Sequence, residues 1–564
     1  MFNKALNIAI LFFQISCSLG DPMVELPNGQ ISGRDATTAE NIPYYIFEGV
    51  PYAAPPVGEL RFKAPQPVAN WEGVLETKYI STTCFQTSSN NDNESEDCLF
   101  INIYTPELPS DGGSGTLPVM FYIHGGGFVD GSGVGWGPDL FIDNGVILVT
   151  INYRLGFFGF VSTQDEVIPG NSGLKDQRFA IQWAHDNIHL FGGDPNQITI
   201  FGQSAGSASC AYQLLNQDSN GLFQAAILES GSFLSPWAYQ RRARQISFAT
   251  AAFLNSSWAD SDDSQALLDY LLTVDARTLD SAAEQYRSWE WANNGWEDLE
   301  ISQGFYWAPI VEVKNPDAFL TRNMYGLLQA GSVLQVPIMI GVTSEEDLVF
   351  DQDAQGLQNR MAAYDQNLGW LVPNDMQITD QNQRTQMGSA IRDLYTGGEP
   401  LANHLGDAVR YSSDTSFTRS VIKHAELFSK VAETYFYIFS YDGQMGGGNT
   451  HYDGAEGVGH GEEIGYLFCS GDGCNGNNFP EADRVTRQRL IKLWTDFAKY
   501  RNPTPEASEL LQNIIWPAVS TDNGDLYYVD INENLEIKNH PKEATYGAWV
   551  ELYNSLGYDD FDTY

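Results

Sequence analysis

Gly202-Gln203-Ser204-Ala205-Gly206 sets a serine between two glycines, after the apolar run Ile198-Thr199-Ile200-Phe201 and before small residues that can start a helix. Read as strand, sharp turn and helix, this stretch lifts the Ser204 hydroxyl out of a sheet. It also sets the Ala205 amide at a helix N-terminus, where backbone donors favour negative charge. The glycines suit a turn in which backbone segments come too close for a side chain. A serine hydroxyl is a poor nucleophile at neutral pH. It attacks an ester carbonyl only when a base takes its proton, an acid holds that base and fixed donors receive the oxyanion.

The rest of the chain offers each part. Tyr122-Ile123-His124-Gly125-Gly126-Gly127-Phe128 follows an apolar run, and its three glycines let successive amides turn towards one point. No P-loop lysine follows, so an oxyanion site fits better than a phosphate cradle. His124 itself reads as structural. Of the eight histidines, His404, His424, His451, His460 and His540 lie downstream of Ser204, as the chain order serine, acid, histidine requires. His460, in Gly457-Val458-Gly459-His460-Gly461, sits where a glycine-flanked loop can present a ring, with His451 second; His424 lies in a helical pattern. For the acid, Pro337 to Asp347 reads as a strand ending in Glu345, Glu346 and Asp347, and spacing does not choose among the three.

These residues need a frame. Val119 to Ile123, Val146 to Ile151, Ala225 to Leu228 and Pro337 to Ile340 are short continuous apolar runs, as in parallel strands buried on both faces. Thr434 to Tyr441 is aromatic and strand-prone, and Leu99 to Tyr104 alternates apolar with polar. Val24 to Gly33 reads as a hairpin turning at Pro27-Asn28-Gly29, and the Pro- and Gly-rich Phe47 to Arg61 as ordered loop. Lys175 to Phe191 and Arg487 to Tyr500 have helical spacing. Strands alternating with helices predict an α/β fold with a mostly parallel sheet. Trp-rich stretches between Pro236 and Phe305 predict helical insertions over the site.

The 564 residues show no linker and no repeat, which predicts a single domain over 21–564 rather than several. Hydrophobic residues make up 43% and aromatic residues 13%, enough for a large core. The formal charge of -42 argues against nucleic acid or an anionic membrane as partner, and against anionic substrates. Residues 1–20 pair Lys4 with the apolar run Ala5 to Ile15 and then small residues, the pattern of a secretory signal peptide. No later stretch is long enough to span a bilayer, and the last residues match neither a lipid-anchor tail nor a retention signal. Cys84 and Cys98 flank a polar loop and predict a disulfide, and Cys469 and Cys474 can close a much smaller one. Cys210 reads as a buried free thiol. Acceptor sequons stand at Asn93 and Asn255. A secreted protein is the plain reading, with its oligomeric state open.

The sequence resembles the type-B carboxylesterase and cholinesterase family of the α/β-hydrolase fold over nearly its whole length. The resemblance rests on Phe47-Glu48-Gly49-Val50-Pro51-Tyr52-Ala53, Arg61-Phe62, Ser95-Glu96-Asp97-Cys98-Leu99 and His124 to Phe128. It continues through Asn152-Tyr153-Arg154, Asp176-Gln177-Arg178, Phe191-Gly192-Gly193-Asp194-Pro195, the Ser204 turn, Glu229-Ser230-Gly231-Ser232 and His460-Gly461. It implies a large, mostly parallel sheet covered by helices on both faces. It implies Ser204 as nucleophile, His460 as base and Glu346 as acid, with Gly126, Gly127 and Ala205 giving the oxyanion amides. Trp237 and Phe128 would line the substrate pocket, and Ser230 would join a buried polar network behind the acid. Arg61 with Glu96 and Arg154 with Asp176 would be structural ion pairs, and Cys84 with Cys98 the family's first disulfide.

Two departures stand out. The Cys84–Cys98 loop is short and lacks the tryptophan on which cholinesterases hold choline, which argues against a true cholinesterase. The family's second disulfide has no partners between Arg241 and Tyr270. The expectation is a secreted serine carboxylic-ester hydrolase acting on neutral, fairly apolar esters, with no metal or cofactor. The alternatives are a lipase or juvenile-hormone-type esterase of the same chemistry, or a non-catalytic, neuroligin-like adhesion ectodomain.

Overall fold

A computed structural model describes residues 20–87, 91–109, 112–113, 115–294, 304–520 and 525–564. The expected signal peptide lies, but for its last residue, outside them. The strands in chain order are β1 (Met23–Leu26), β2 (Gly29–Ser32), β3 (Arg34–Thr37), β4 (Pro43–Pro51), β5 (Val74–Glu76), β6 (Phe100–Thr105) and β7 (Leu117–Ile123). They continue with β8 (Ile147–Ile151), β9 (Gly193–Gln203), β10 (Ala225–Glu229), β11 (Ile338–Thr343), β12 (Thr434–Phe439), β13 (Tyr527–Ile531) and β14 (Leu535–Asn539). Among the described residues one sheet has 11 strands, in the order β14-β13-β12-β11-β10-β9-β7-β8-β6-β4-β3. From β8 through β13 all neighbours are parallel, while β3, β4, β6 and β14 pair antiparallel at the flanks. The result is a large mixed sheet, parallel at its centre.

The apolar runs form the centre because both sheet faces are covered. On β7, Val119, Phe121 and Ile123 enter one core with the helices Ser172–Asn187, Ala205–Leu215 and Arg419–Phe428. Met120 and Tyr122 point the other way, into a second core built on the helix Glu481–Tyr500 through Leu490, Leu493, Trp494 and Phe497. Successive residues of a strand face opposite sides, so a strand covered twice has no polar face to show. The insertion between β10 and β11 carries the helices Ala243–Leu254, Ser264–Leu271 and Ala276–Asn294.

One reading needs correction. Phe47 to Pro51, read as the start of a loop, is the second half of β4. The glycine is accommodated by a register shift between Phe47 and Val50, with Gly49 at φ 78° and its amide donating to Asn102 Oδ1 at 2.9 Å. The flanking β3, β13 and β14 were not read as strands, although β14 alternates through Leu535-Glu536-Ile537-Lys538.

Both expected ion pairs form. Arg61 bonds both oxygens of Glu96 at 2.6 Å and also donates to the Leu271 and Val274 carbonyls, tying the first insertion helices to the body. Arg154 bonds both oxygens of Asp176 at 2.7 Å, almost without solvent contact. Cys84 pairs with Cys98 and Cys469 with Cys474, and Cys210 is a buried free thiol. Among the described residues no helix is long and apolar enough to cross a membrane. Removing one partner of a buried pair strands the other charge, so Arg154→Met should lower stability by about 3–5 kcal/mol in urea unfolding. A loss under about 1 kcal/mol would show that water reaches Asp176.

Candidate active site

The central strands end level with one another. Ile123 of β7 pairs with Gly202, Gln203 of β9 with Glu229, and Glu229 of β10 with Gly341. The loops leaving these parallel strands therefore meet at one sheet edge, the usual place for a site in such folds. Ser204 leaves β9, the glycine run leaves β7, Glu346 follows β11, and His460 lies in the long connection after β12.

Ser204 has φ 60° and ψ -124°, a conformation costly for a side-chain-bearing residue. It is held by its amide donating to Glu229 O at 2.8 Å and its carbonyl accepting from Ala208 N at 2.9 Å. A Cβ on Gly206 would lie 2.0 Å from the Ile123 carbonyl oxygen, so this turn admits no other residue. Ala205 opens the helix that follows, with its amide in the unpaired first turn. On the β7 side Gly126 has φ 103°, and its carbonyl accepts from Val129 and Asp130. With that carbonyl folded into its own turn, Gly126 and Gly127 line the cavity above Ser204.

The three acids after β11 part company in space. Glu346 Oε2 meets His460 Nδ1 at 2.5 Å, and its Oε1 accepts from the Thr343 amide at 2.8 Å. The His460 amide donates to the Glu346 carbonyl at 3.0 Å, so backbone and side chain fix the same pair. Glu345 turns away to the Glu456 amide, and burial pushes its carboxyl up to about 7. Asp347 lines the cavity. His451 is more than half exposed, beside Asp442. His124 stacks on Tyr153 at 4.4 Å and His424 bonds Ser232 Oγ at 2.7 Å. Burial lowers them to about 4 and about 3, which leaves both neutral.

Ser204 and His460 line one cavity of about 740 Å³, and among the described residues the hydrogen bond at His460 Nε2 comes from Gln203 Nε2 at 3.0 Å. A side-chain amide there can only donate, so Nε2 carries the lone pair and Nδ1 the proton shared with Glu346. Gln203 was inside the serine motif but carried no signal of this contact. The aromatic wall was equally hidden. Phe417 packs on the His460 ring at 4.4 Å and on Trp237 at 5.5 Å, and Trp237 meets Phe305 at 5.5 Å. Phe417 comes from a π-helical turn, Asp414–Thr418, whose Ser416 carbonyl accepts from Trp237 Nε1 at 2.9 Å. Trp237 is thus on the wall as expected. Phe128 is not; it lies one layer behind, 6.2 Å from Trp237 and 5.2 Å from Phe160, because its backbone turns (φ 63°) into the core.

Behind Glu346 lie two more buried carboxyls. Trp494 Nε1 donates to Glu229 Oε1, yet burial still pushes Glu229 up to about 7. Glu463 is pushed up further by burial and by Glu229 and Glu346. Ser230, expected in a network here, has its hydroxyl buried without a partner among the described residues. Among those residues no group of three or more His, Cys, Asp or Glu is placed to hold a metal ion. The arrangement can do acyl transfer: a strained serine, an imidazole oriented by Glu346, and backbone amides above them.

Residues 20–549 match the model of the Carboxylesterase family. The chain is 34% identical over 558 residues to a carboxylic ester hydrolase of Bombus ignitus, covering 96% of this chain and 95% of that one. It is 33% identical to a juvenile hormone esterase of Tribolium castaneum, over 91% of this chain and 90% of that one. It superposes on the crystal structure of juvenile hormone esterase from Manduca sexta with a TM-score of 0.80 at 27% identity, over 95% of this chain and all of that one.

Glu229 carries a pH signature. Its folded pKa lies above its ordinary value of 4.5, so its contribution is fully present below about pH 4.5 and is lost as pH rises through about 7. Glu229→Gln keeps an oxygen for Trp494 but cannot ionise. It should match wild type in urea unfolding at pH 4.5 and be more stable by roughly 1–3 kcal/mol at pH 8. Equal stabilities at pH 8 would place the Glu229 pKa near its ordinary value.

Proposed function

The chain belongs to the carboxylesterase family and is a carboxylesterase, and from that premise we propose that it hydrolyses neutral, largely apolar esters through Ser204, His460 and Glu346, outside the cell. Ser204 Oγ attacks the ester carbonyl as His460 Nε2, released by Gln203, takes its proton. Glu346 holds the Nδ1–H and stabilises the imidazolium. The amides of Gly126, Gly127 and Ala205 receive the oxyanion, each lowering the barrier by about 3 kcal/mol. The imidazolium returns its proton to the departing alcohol. Water then gives a proton to the same Nε2 and attacks the acyl carbonyl, and as the acyl C–O bond breaks the imidazolium returns that proton to Ser204 Oγ and the acid leaves.

The observation that carries this reading is the His460–Glu346 contact at the floor of a cavity that also opens on a backbone-strained serine. The aromatic wall supports an apolar substrate. A second reading, an esterase dedicated to one hormone-like ester, is supported by the similarity to proteins named juvenile hormone esterase.

The test is hydrolysis of p-nitrophenyl esters from acetate to palmitate by wild type and Ser204→Ala. The variant should fold and lose at least about 10⁴-fold in kcat. Residual turnover within tenfold of wild type sinks the serine assignment. A preference for long chains would favour a lipase or hormone esterase, and no turnover by folded wild type an adhesion role.

For export, the support is the leader-like N-terminus, two disulfides, and sequons at exposed Asn93 and Asn255. Protein recovered from the medium of secreting cells should begin near Asp21, and its mass should fall on treatment with a peptide N-glycosidase. Retention of residues 1–20 would overturn the signal-peptide reading.

A further inference from the structure

Asp347 has a buried carboxyl oxygen, Oδ2, with no hydrogen-bond partner among the described residues. It follows Glu346, and its backbone does the local structural work: its amide donates to Ser413 Oγ at 3.0 Å, and its carbonyl accepts from Phe350 and Asp351 at 3.0 Å each. An alanine would serve those contacts equally well. Asp347 is among the residues that line the cavity holding Ser204 and His460, and it is 2% exposed, with Oδ2 buried at that wall. A buried polar atom without a partner costs about 1–3 kcal/mol, so it calls for a purpose.

The surroundings fix its protonation. Burial and the nearby carboxylates of Asp351, Glu346 and Glu345 all hold the Asp347 carboxyl well above its ordinary range. Arg360 attracts the Asp347 carboxylate and opposes this shift without cancelling it, and its Nη2 hydrogen bonds go to Asp351 at 2.8 Å and to Ser412 at 3.3 Å. A neutral carboxyl can donate one hydrogen bond as well as accept. The cavity wall beside it is Phe350 stacked on Phe417 at 6.0 Å, which offers hydrocarbon contact only.

We propose that Asp347 is a specificity-determining group: it donates a hydrogen bond to an uncharged oxygen, a keto or hydroxyl group, carried within the otherwise apolar arm of the ester that runs past Phe350 and Phe417. This rests on the reading that Ser204 and His460 form the esterase site. It selects a substrate class, oxygenated apolar esters, over plain fatty esters.

Two matched substrate pairs test this, one for each arm of the ester. The acyl pair is p-nitrophenyl hexanoate against p-nitrophenyl 5-oxohexanoate. The alcohol pair is hexyl acetate against 5-oxohexyl acetate. Wild type should favour the keto ester in one pair by about tenfold in kcat/KM, the worth of one hydrogen bond. Asp347→Leu should bring that ratio to near one, and Asp347→Asn, which can still donate, should keep most of it. No keto preference by wild type in either pair overturns the proposal whatever the variants do. Persistence of the preference in a folded Asp347→Leu overturns it too. Wild-type turnover of p-nitrophenyl acetate separates the two levels: without it the esterase site itself fails, and with it only the subsite is at stake.

Discussion

At the end of β9 three stretches of backbone share a space with no room for a side chain. The turn after Ser204, the end of β7 and the start of the helix Ala205–Leu215 approach until a Cβ on Gly206 would lie 2.0 Å from the Ile123 carbonyl. This approach forces Ser204 into its strained conformation, points its hydroxyl away from the sheet, and brings the glycine run after β7 over it. The strain persists because the neighbours over-determine it, through the Glu229 and Ala208 hydrogen bonds. The geometry of the site is therefore a consequence of close packing between parallel strands, and the side chains that react are added to it.

The second requirement is that the imidazole arrive from far along the chain. His460 stands in the connection after β12, and three contacts hold it: its amide on the Glu346 carbonyl, its Nδ1 on the Glu346 carboxylate, and its ring against Phe417. The Phe417 contact depends on a π-helical turn, which inserts an extra residue and aims one side chain where a regular helix would not. The same turn accepts from Trp237, so His460 and the cavity wall share a support. A change in that turn would move both together.

Burial sets the charges. Glu229, Glu345, Glu463 and Asp347 are all shifted towards the neutral acid by burial, while the net charge of the chain is -42. The formal count therefore overstates the charge in the interior near His460. The acid next to the base keeps its hydrogen bonds, and its neighbours lose their charge rather than compete with it.

Local sequence determined a good deal. The G-x-S-x-G turn, the glycine run and the short apolar runs of β7 to β12 were legible because close approach demands glycine and double burial demands continuous apolar strands. The α/β class followed from their alternation, and His460 from its glycine-flanked loop among few histidines. Resemblance, not spacing, had to single out Glu346. The tertiary structure puts Glu346 against His460 and turns Glu345 and Asp347 elsewhere, since three consecutive residues leaving a strand point in different directions according to the turn they enter. It alone set Phe128 behind Trp237, Gln203 on His460, Phe417 in the wall and Asp347 at the cavity. These contacts join residues tens to hundreds of positions apart, where no local periodicity or spacing carries a trace of them.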